Sequence, residues 1–407
     1  MAKLRFAVRK FDPFERALAD TWSRYQTLYP SDTEIEFVPM DLEELYTALF
    51  QKKGLQNGTW DIAHVNTDWI TEAYETGSLQ PLDQYLINKP PQGGTNAWAP
   101  SLMELQRFDG KLYGLPFHDG PECLVVRKDL FEAATEKEQF LKQYGRELRA
   151  PQTWSEFLEV ASFFHRPAQG LYGTVFGGYP DGHNAVFDFC MQLWARGGEL
   201  TTGTGHVSLV SPAAIEALDF YRKLFREPCG LHPRSLDYES VQAGRAFARG
   251  EVAMMVNWFG FASWAHIDNA SAVKGQVDIA PIPTCEGFTA PSLNVYWLYT
   301  IAEGSTQKDS AYDFLRFAVQ AEQDKQLTLT GGVGCRRTTW TDVDINNRIP
   351  FYSKLEQLHE TARTLPRLRN WAAVAHGIDH MVNQAIHTDT DSKVLLQAAQ
   401  QQINKLT

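Results

Sequence analysis

Apolar and polar residues alternate in the first third of the chain in a way that predicts short strands separated by helices. Three apolar runs predict strands, at residues 4–8, 34–39 and 60–65. Between the first two, Pro13 to Tyr29 carries Phe, Leu and Trp side chains at helical spacing. Asp41 and Asp68 follow the next two strands and are placed to begin helices. This order predicts a parallel sheet flanked by helices, which binds ligands at the carboxyl ends of its strands.

Helix start and stop signals organise the middle of the chain. Thr153 and Glu156 have the spacing of a capping box, and Ser211 before a proline predicts a helix that runs to Arg226. A helix that begins at Asn184 should end at a pair of glycines. Further strands are expected at 171–176, 251–257 and 294–302, and further helices at 309–319 and from Pro350 onward, the last one at 392–405.

Length and composition place the chain among globular proteins with more than one folded unit. A chain of 407 residues exceeds the roughly 250–300 residues that one hydrophobic core supports. With 43% apolar and 21% charged residues, disordered and low-complexity classes are excluded. Aromatic residues make up 12% of the chain, which suits a core but also a site that grips flat, weakly charged ligands.

Charge and cysteine content exclude several function classes. The net charge of -11, from 38 basic and 49 acidic residues, argues against an extended nucleic-acid surface. Five cysteines without a C-x-x-C motif argue against zinc-ribbon and thioredoxin-like sites. No apolar run is long enough to span a membrane. Met1 and Ala2 lead directly into the first strand, so we expect either a cytoplasmic protein or one whose signal segment has been removed.

Six segments in order resemble the family 1 extracellular solute-binding proteins, the maltose-binding-protein-like carbohydrate receptors of ABC importers. The most recognisable is F-D-G-K-L-Y-G-L-P-F at Phe108–Phe117, followed by L-V-V-R-K-D-L-F at Leu124–Phe131. The other five similar segments are Asp61–Leu86, Pro151–Leu158, Phe247–Trp258, Ser310–Phe317 and Gly331–Arg337. Each motif is weak alone, but six of them in the family's order along the chain make the resemblance specific.

The resemblance implies an α/β, two-lobed periplasmic-binding-protein fold of type II, in which each lobe is a mixed sheet flanked by helices. Three crossovers would join the lobes, with the ligand cleft between them. Transferred to this chain, lobe one is expected at 1–117 and 281–332, and lobe two at 122–277 and 337–407. The hinges are expected near 118–121, 278–280 and 333–336.

The resemblance also implies the function. A soluble, monomeric, periplasmic substrate-binding component would capture a sugar, oligosaccharide or glycoside by lobe closure and deliver it to a membrane permease. Its export signal would have been removed from this sequence. We expect no catalytic residue, no cofactor and no nucleic-acid partner. We also expect no metal, since His376 and His380, at helical i, i+4 spacing, have no nearby Cys or Glu partner and are interpreted as a helix surface.

Residues at the predicted strand ends and crossovers have the chemistry of a sugar site. Sugar hydroxyls favour carboxylates, amides and arginines, and sugar C–H faces favour aromatic rings. The predicted ligand contacts are Phe11, Asp68, Trp69, His118, Asp119, Glu122, His183, Asn184, Trp258, Asn294, Trp297, Arg336 and Trp371. Alternatives stay open for several of them: Asp68 could be a plain helix cap, Trp258 could be core, and Arg337 could replace Arg336.

Two rival functions and several ligand classes remain at this point. Thiaminase-like enzymes resemble this fold and use a cysteine nucleophile with a carboxylate base, which Cys123 and Glu122 could supply. A glycosidase would need two carboxylates across the scissile bond, and Asp68, Asp119 and Glu122 are conceivable ones. Neutral sugars are the first expectation for the ligand and polyols the second. An anionic sugar is suggested by three arginines, Arg9, Arg336 and Arg337.

Overall fold

The structure is a computed structural model that describes residues 3–227 and 229–406. Met1, Ala2, Pro228 and Thr407, which fall within the predicted lobes, lie outside the described residues.

Strands and helices, joined by loops, occur from one end of the described residues to the other. The strands are β1 (Lys3–Arg9), β2 (Glu34–Met40), β3 (Ile62–Asn66), β4 (Arg107–Phe108), β5 (Lys111–Leu112), β6 (Leu115–His118), β7 (Glu122–Arg127), β8 (Tyr172–Val175), β9 (Val252–Trp258), β10 (Val277–Ala280), β11 (Ser292–Leu293), β12 (Trp297–Ile301) and β13 (Ala362–Arg363). The helices are α1 (Asp12–Leu28), α2 (Leu42–Tyr46), α3 (Ile70–Glu75), α4 (Asp83–Asn88), α5 (Lys128–Glu132), α6 (Ala134–Tyr144), α7 (Trp154–Phe163), α8 (Asn184–Trp194), α9 (Pro212–Arg226), α10 (Ser240–Ala248), α11 (Phe259–Ile267), α12 (Lys308–Ala318), α13 (Ala321–Leu329), α14 (Arg337–Trp340), α15 (Val343–Arg348), α16 (Leu355–Glu360), α17 (Trp371–His387) and α18 (Ser392–Ile403).

The chain divides into two compact units, each assembled from separate segments. Unit 1 consists of residues 1–120, 295–356 and 367–369, and unit 2 of residues 121–294, 357–366 and 370–407. Residues 281–294 therefore lie in unit 2 and residues 337–356 in unit 1. The lobe and hinge boundaries drawn from the family resemblance remain a prediction.

Unit 1 is built on a five-stranded sheet in the order β2-β1-β3-β12-β6. The first three strands are parallel, and β12 runs antiparallel to both of its neighbours. The start of β12 therefore lies beside the ends of β3 and β6, with Trp297 opposite Asn66 on one side and His118 on the other. One sheet edge consequently collects the residues at which these strands end or begin.

Unit 2 is built on a four-stranded mixed sheet in the order β10-β7-β9-β8. β7 is antiparallel to β10 and β9, whereas β8 is parallel to β9. Every residue of α8 is buried, and α8 packs against α9 and α17. A helix that is buried on all sides should be apolar throughout, so its single carboxylate, Asp188, is exceptional.

Most predicted helix starts are confirmed in detail. Asp41 caps α2 by accepting the Glu44 N–H at 2.9 Å, and the Glu44 carboxylate accepts the Asp41 N–H at 3.3 Å. Thr153 accepts the Glu156 N–H at 3.2 Å. The carboxylate of Glu156, however, accepts the Gln152 N–H at 2.8 Å, one residue before the position that a capping box requires.

Three predictions about elements are wrong in their bounds. Asp68 does not begin a helix, because Asn66 to Trp69 form a turn and α3 begins at Ile70. The strand expected at 294–302 begins only at Trp297, since the Asn294 N–H donates instead to the Arg363 carbonyl at 2.8 Å. The tail after Pro350 is not helical throughout, because β13 and a non-helical stretch lie between α16 and α17.

A close approach between α7 and β8 requires glycine at position 173. A methyl group added at Gly173 would lie 2.0 Å from the Ala161 carbonyl oxygen, which is backbone and cannot move aside alone. We expect Gly173→Ala to lower the free energy of unfolding by about 2–3 kcal/mol. Gly203→Ala is the matched control, since nothing lies within 4 Å of the added methyl. Chemical denaturation of both variants measures the difference, and equal midpoints would contradict the packing described.

No described helix combines the length and apolar character needed to cross a membrane.

Candidate functional site

Two tryptophans meet at the edge of the sheet in unit 1. Trp297 begins β12, and Trp69 follows β3 by three residues. Their ring centroids are 5.9 Å apart with an interplanar angle of 86°. Trp69 is buried against Tyr46 and Phe50, whereas Trp297 is half-buried. The structure therefore brings together two of the predicted contacts and holds one ring rigidly beside a more exposed one.

Polar groups flank the tryptophan pair. Asn66, the residue opposite Trp297 in β3, accepts the Asp68 N–H through its side-chain oxygen at 3.3 Å. This bond fixes the turn that carries half-buried Asp68 into position next to Trp69. An amide and a carboxylate beside aromatic rings are groups that can bind sugar hydroxyls.

His118 and Asp119 lie on the other side of Trp297, at the end of β6. The His118 Nδ1 accepts the Val333 N–H at 3.0 Å, and the Asp119 N–H donates to the Val333 carbonyl at 3.1 Å. Burial lowers the pKa of His118 to about 4, although the Asp119 carboxylate opposes this shift. The imidazole is therefore neutral at pH 7, as its role as an acceptor at Nδ1 requires.

Phe11 is buried at the start of α1. Its ring contacts Phe14 edge-on at 5.1 Å between centroids, and Phe14 in turn contacts His118 at 4.6 Å. Phe11 is thus part of the aromatic layer beneath the sheet edge.

Arg336 is buried, and its guanidinium is engaged within unit 1. Its Nη1 donates to the Val319 carbonyl at 2.6 Å, and its Nη2 donates to the Gln92 carbonyl. The guanidinium also lies over the Trp98 ring, 5.1 Å from the centroid. Arg337, the alternative weighed from the sequence, is exposed.

In unit 2, Glu122 and Trp258 are paired across neighbouring strands. Glu122 begins β7 and stands opposite Trp258, the last residue of β9. Directly opposite residues point to the same face of a sheet, so the carboxyl group and the ring are neighbours. Trp258 is half-buried, and its ring contacts Phe187 of α8 edge-on at 5.8 Å.

The Glu122 carboxyl group is buried close to Asp188. Burial raises the pKa of Glu122 well above its ordinary value, and the Asp188 charge adds to the shift. Burial also raises the pKa of Asp188 to about 7, although the Tyr221 hydroxyl donates to its Oδ2 at 2.9 Å. Burial therefore favours the protonated form of both carboxyl groups.

The loop before α8 places His183 and Asn184 around Asp181. The Asp181 carboxylate accepts the His183 N–H at 2.9 Å, the Asn184 N–H at 3.3 Å and the Asn184 Nδ2 at 3.2 Å. Asp181 therefore satisfies the backbone N–H groups of both His183 and Asn184.

Trp371 and Asn294 are also buried in unit 2. Trp371 is the first residue of α17 and is 2% exposed. Eight residues further along this helix lies Asp379, and burial followed by the Asp181 charge raises its pKa to about 7.

Sequence reasoning missed three residues around the predicted contacts, namely Asn66, Asp188 and Asp379. Asp188 carries a usable signal, since it is the one acidic residue in the otherwise apolar segment N-A-V-F-D-F-C-M-Q-L-W. Asn66 also carries a signal, because it ends a predicted strand, where such sheets bind ligands. Asp379 carries none, because it lies in an ordinary amphipathic helix.

The fold and the strand-end aromatic and carboxyl groups are those of a two-unit α/β ligand-binding protein. Residues 18–325 match the family described as bacterial extracellular solute-binding protein, and the chain belongs to that family. The predicted family and fold class are thereby confirmed.

Individual relatives and solved structures resemble the chain over most of its length. A maltotriose-binding protein of Pyrococcus abyssi is 26% identical over 394 residues, which cover 94% of this chain and 77% of that protein. The maltose-bound MalE3 of T. maritima superposes with a TM-score of 0.87 at 24% identity, covering 100% of both chains. An ABC transporter solute-binding protein of Agrobacterium radiobacter K84 in complex with ribitol also gives 0.87, at 22% identity, covering 100% of this chain and 99% of that one.

Proposed function

We propose that this protein is the substrate-binding component of an ABC importer and captures a carbohydrate for delivery to a membrane permease. Family membership supports the transport role, and relatives named for maltotriose, maltose and ribitol support the ligand class. The observation that carries the proposal is the pairing of aromatic rings with polar groups at strand ends, Trp297 with Asn66 in unit 1 and Trp258 with Glu122 in unit 2.

The proposed binding mode uses aromatic rings together with polar side chains. Trp69, Trp297 and Trp258 would take the C–H faces of the sugar, while carboxyl and amide groups would take its hydroxyls. As in the family, binding would be completed by closure of the two units, which the ligand drives through contacts made only in the closed state. The other predicted contacts remain proposed members of the site.

We propose that the protein has no catalytic activity. Successive residues of a strand point to opposite faces of the sheet. Cys123 therefore faces away from Glu122, and the two cannot act on one substrate atom as nucleophile and base. Incubation with thiamine and an added nucleophile tests this, and thiamine loss that Cys123→Ala abolishes would contradict it.

The family description also supports a location outside the cytoplasm, for which we propose the periplasm, with the permease as membrane partner and a monomer as the solution state.

A ligand screen tests the proposed function directly. Thermal melting of the full chain against sugars, oligosaccharides, polyols and sugar acids should identify stabilising compounds, with calorimetry on the hits. A ligand present at a hundred times its Kd adds about 2.7 kcal/mol of stability. If no carbohydrate shifts the melt while thiamine or peptides do, the proposed ligand class is wrong.

Removing the half-buried tryptophan of unit 1 should weaken binding of the sugar found in that screen. We expect Trp297→Ala to raise the Kd about 10- to 100-fold, which is about 1.4–2.7 kcal/mol. Trp22→Ala is the matched control, because Trp22 is also half-buried in unit 1 but stacks on Tyr25 of its own helix. Calorimetry measures the Kd of each variant. Equal effects of the two substitutions would show that Trp297 does not contact the sugar.

A further inference from the structure

Three carboxyl groups of unit 2 are buried around one tyrosine hydroxyl. They are Glu122 of β7, Asp188 of α8 and Asp379 of α17, and the hydroxyl is that of Tyr221 in α9; we call these four residues the acid group. They are between 0% and 7% exposed. The Tyr221 hydroxyl donates to Asp188, and burial together with the charges of all three carboxylates raises the pKa of Tyr221. Four separate elements thus converge on one acidic locus.

Two oxygens of the acid group lack a hydrogen-bond donor among the described residues. Within residues 3–227 and 229–406, Glu122 Oε2 and Asp379 Oδ1 are buried and accept no hydrogen bond. In the same part of the chain, no lysine or arginine forms an ion pair with Glu122, Asp188 or Asp379. Buried carboxyl oxygens are nearly always satisfied in folded proteins, and leaving them unsatisfied is costly. Their arrangement indicates a ligand that supplies donors and positive charge.

Arg363 is a basic residue near this region, but its guanidinium is engaged by other groups. Burial raises the pKa of the Cys190 thiol, the Glu122 charge adds to this shift, and the Arg363 charge opposes it. The Arg363 guanidinium, however, pairs with Glu199 and lies over the Trp194 ring at 4.7 Å. The Asp379 carboxylate accepts the Gly182 N–H. Burial and the Asp181 charge raise the pKa of Asp379, whereas this hydrogen bond and the His183 charge lower it. The acid group therefore keeps an excess of acidic over basic groups.

Trp258 provides an aromatic wall beside Glu122. The two residues are directly opposite each other in β9 and β7, and the Trp258 ring is half-buried. Carboxylates form ion pairs with an ammonium group, and a ring beside them can pack against the carbons that carry it.

We propose that unit 2 binds the protonated amine of an amino sugar or amino polyol through Glu122 and Asp379, with Trp258 against the adjoining carbons. This inference rests on the proposed carbohydrate-binding function and narrows its ligand class. It differs from the expectation of an anionic sugar, which rested on Arg9, Arg336 and Arg337. Of these, Arg336 uses its guanidinium to donate to backbone carbonyls.

The proposal has a thermodynamic signature that a neutral sugar would lack. Burial raises the pKa of Asp188 and of Asp379 to about 7 and that of Glu122 well above its ordinary value, so these groups favour the protonated form more than an exposed carboxyl group does. An arriving ammonium favours the carboxylate, so a carboxyl group loses its proton to the buffer and forms an ion pair with the ligand. Binding should therefore release protons and strengthen as the pH rises from 5.5 to 7.5.

Calorimetry of the full chain with matched probes tests the proposal. The probes are D-glucosamine against D-glucose, and 1-amino-1-deoxy-D-sorbitol against D-sorbitol, each in two buffers of different ionisation enthalpy. We expect at least one amine to bind at least tenfold more tightly than its neutral partner and to release up to one proton. Glu122→Gln and Asp379→Asn should each remove most of that preference. Glu138→Gln, an exposed acid of the same unit, gives the same charge change and should leave the preference intact.

The outcomes separate the two proposals. If neutral sugars bind and the amines bind no better, or if no proton is released, the amine site is wrong while the carbohydrate function stands. If neither neutral nor amino compounds bind, the carbohydrate function itself fails and the amine site fails with it. Urea unfolding of each variant checks its fold. If Glu122→Gln does not fold, the amine site is tested by proton release in the unaltered chain and by the binding preference of Asp379→Asn.

Discussion

Asp324→Ala should destabilise the protein by about 3–5 kcal/mol. The Asp324 carboxylate is 4% exposed and accepts three hydrogen bonds, from the Cys335 N–H at 2.9 Å, the Arg336 N–H at 3.1 Å and the Thr339 hydroxyl at 2.6 Å. Alanine leaves all three buried donors without an acceptor and removes the anchor that ties the segment before α14 to α13. Urea unfolding at pH 7 measures the loss.

Glu322→Ala serves as the control for Asp324→Ala. It removes a carboxylate from the same helix, but its ion pair with Arg24, at 3.4 Å, is exposed. Exposed pairs contribute up to about 1 kcal/mol. If both substitutions had this small effect, the Asp324 network could not be what fixes the segment around Arg336.

Acidification should lower the free energy of unfolding by about 3 kcal/mol through the titration of His118 alone. The folded protein keeps this imidazole neutral down to about pH 4, because burial lowers its pKa. The unfolded chain takes up the proton near pH 6.5. The His118 contribution to stability is thus fully present above about pH 6.5 and is lost as the pH falls toward 4. Each unit of difference between the folded and unfolded pKa corresponds to about 1.4 kcal/mol.

His118→Gln isolates this contribution. Glutamine does not titrate, and its carbonyl oxygen can accept the Val333 N–H that His118 accepts in the protein. The difference between the free energies of unfolding at pH 7.5 and pH 4.5 should therefore be about 2–3 kcal/mol smaller in the variant. His64, whose pKa is lowered by burial and also by the His118 charge, remains in both proteins. His387→Gln, at an exposed position, should reproduce the unaltered profile.

Local sequence patterns predicted the elements of the fold well where the deciding contacts are local. The Asp41 cap is an example, since the donor that it accepts lies three residues away. The start of α3 was missed because a turn closed by Asn66 takes the place of an Asp68 cap.

The candidate site was predicted less completely, because its contacts join distant parts of the chain. Asp188 and Tyr221 are 33 residues apart, and Arg336 and Gln92 are 244 residues apart. Its place at a predicted crossover and its residue type made Arg336 a predicted ligand contact, which stays a prediction. Its hydrogen-bond acceptors within the protein are backbone carbonyls, which every residue possesses. No local pattern could identify which of them it would bind.

The position of β12 in the chain has a consequence for biosynthesis. This strand joins β3 to β6, yet residues 121–294 of unit 2 separate β6 from β12. During synthesis from the amino terminus, the facing edges of β3 and β6 stay bare until residue 301 has left the ribosome, and α17 of unit 2 follows later still. Bare strand edges invite pairing with other chains. The nascent polypeptide therefore reaches three quarters of its length with neither unit complete, and we expect it to depend on a holding chaperone during that interval.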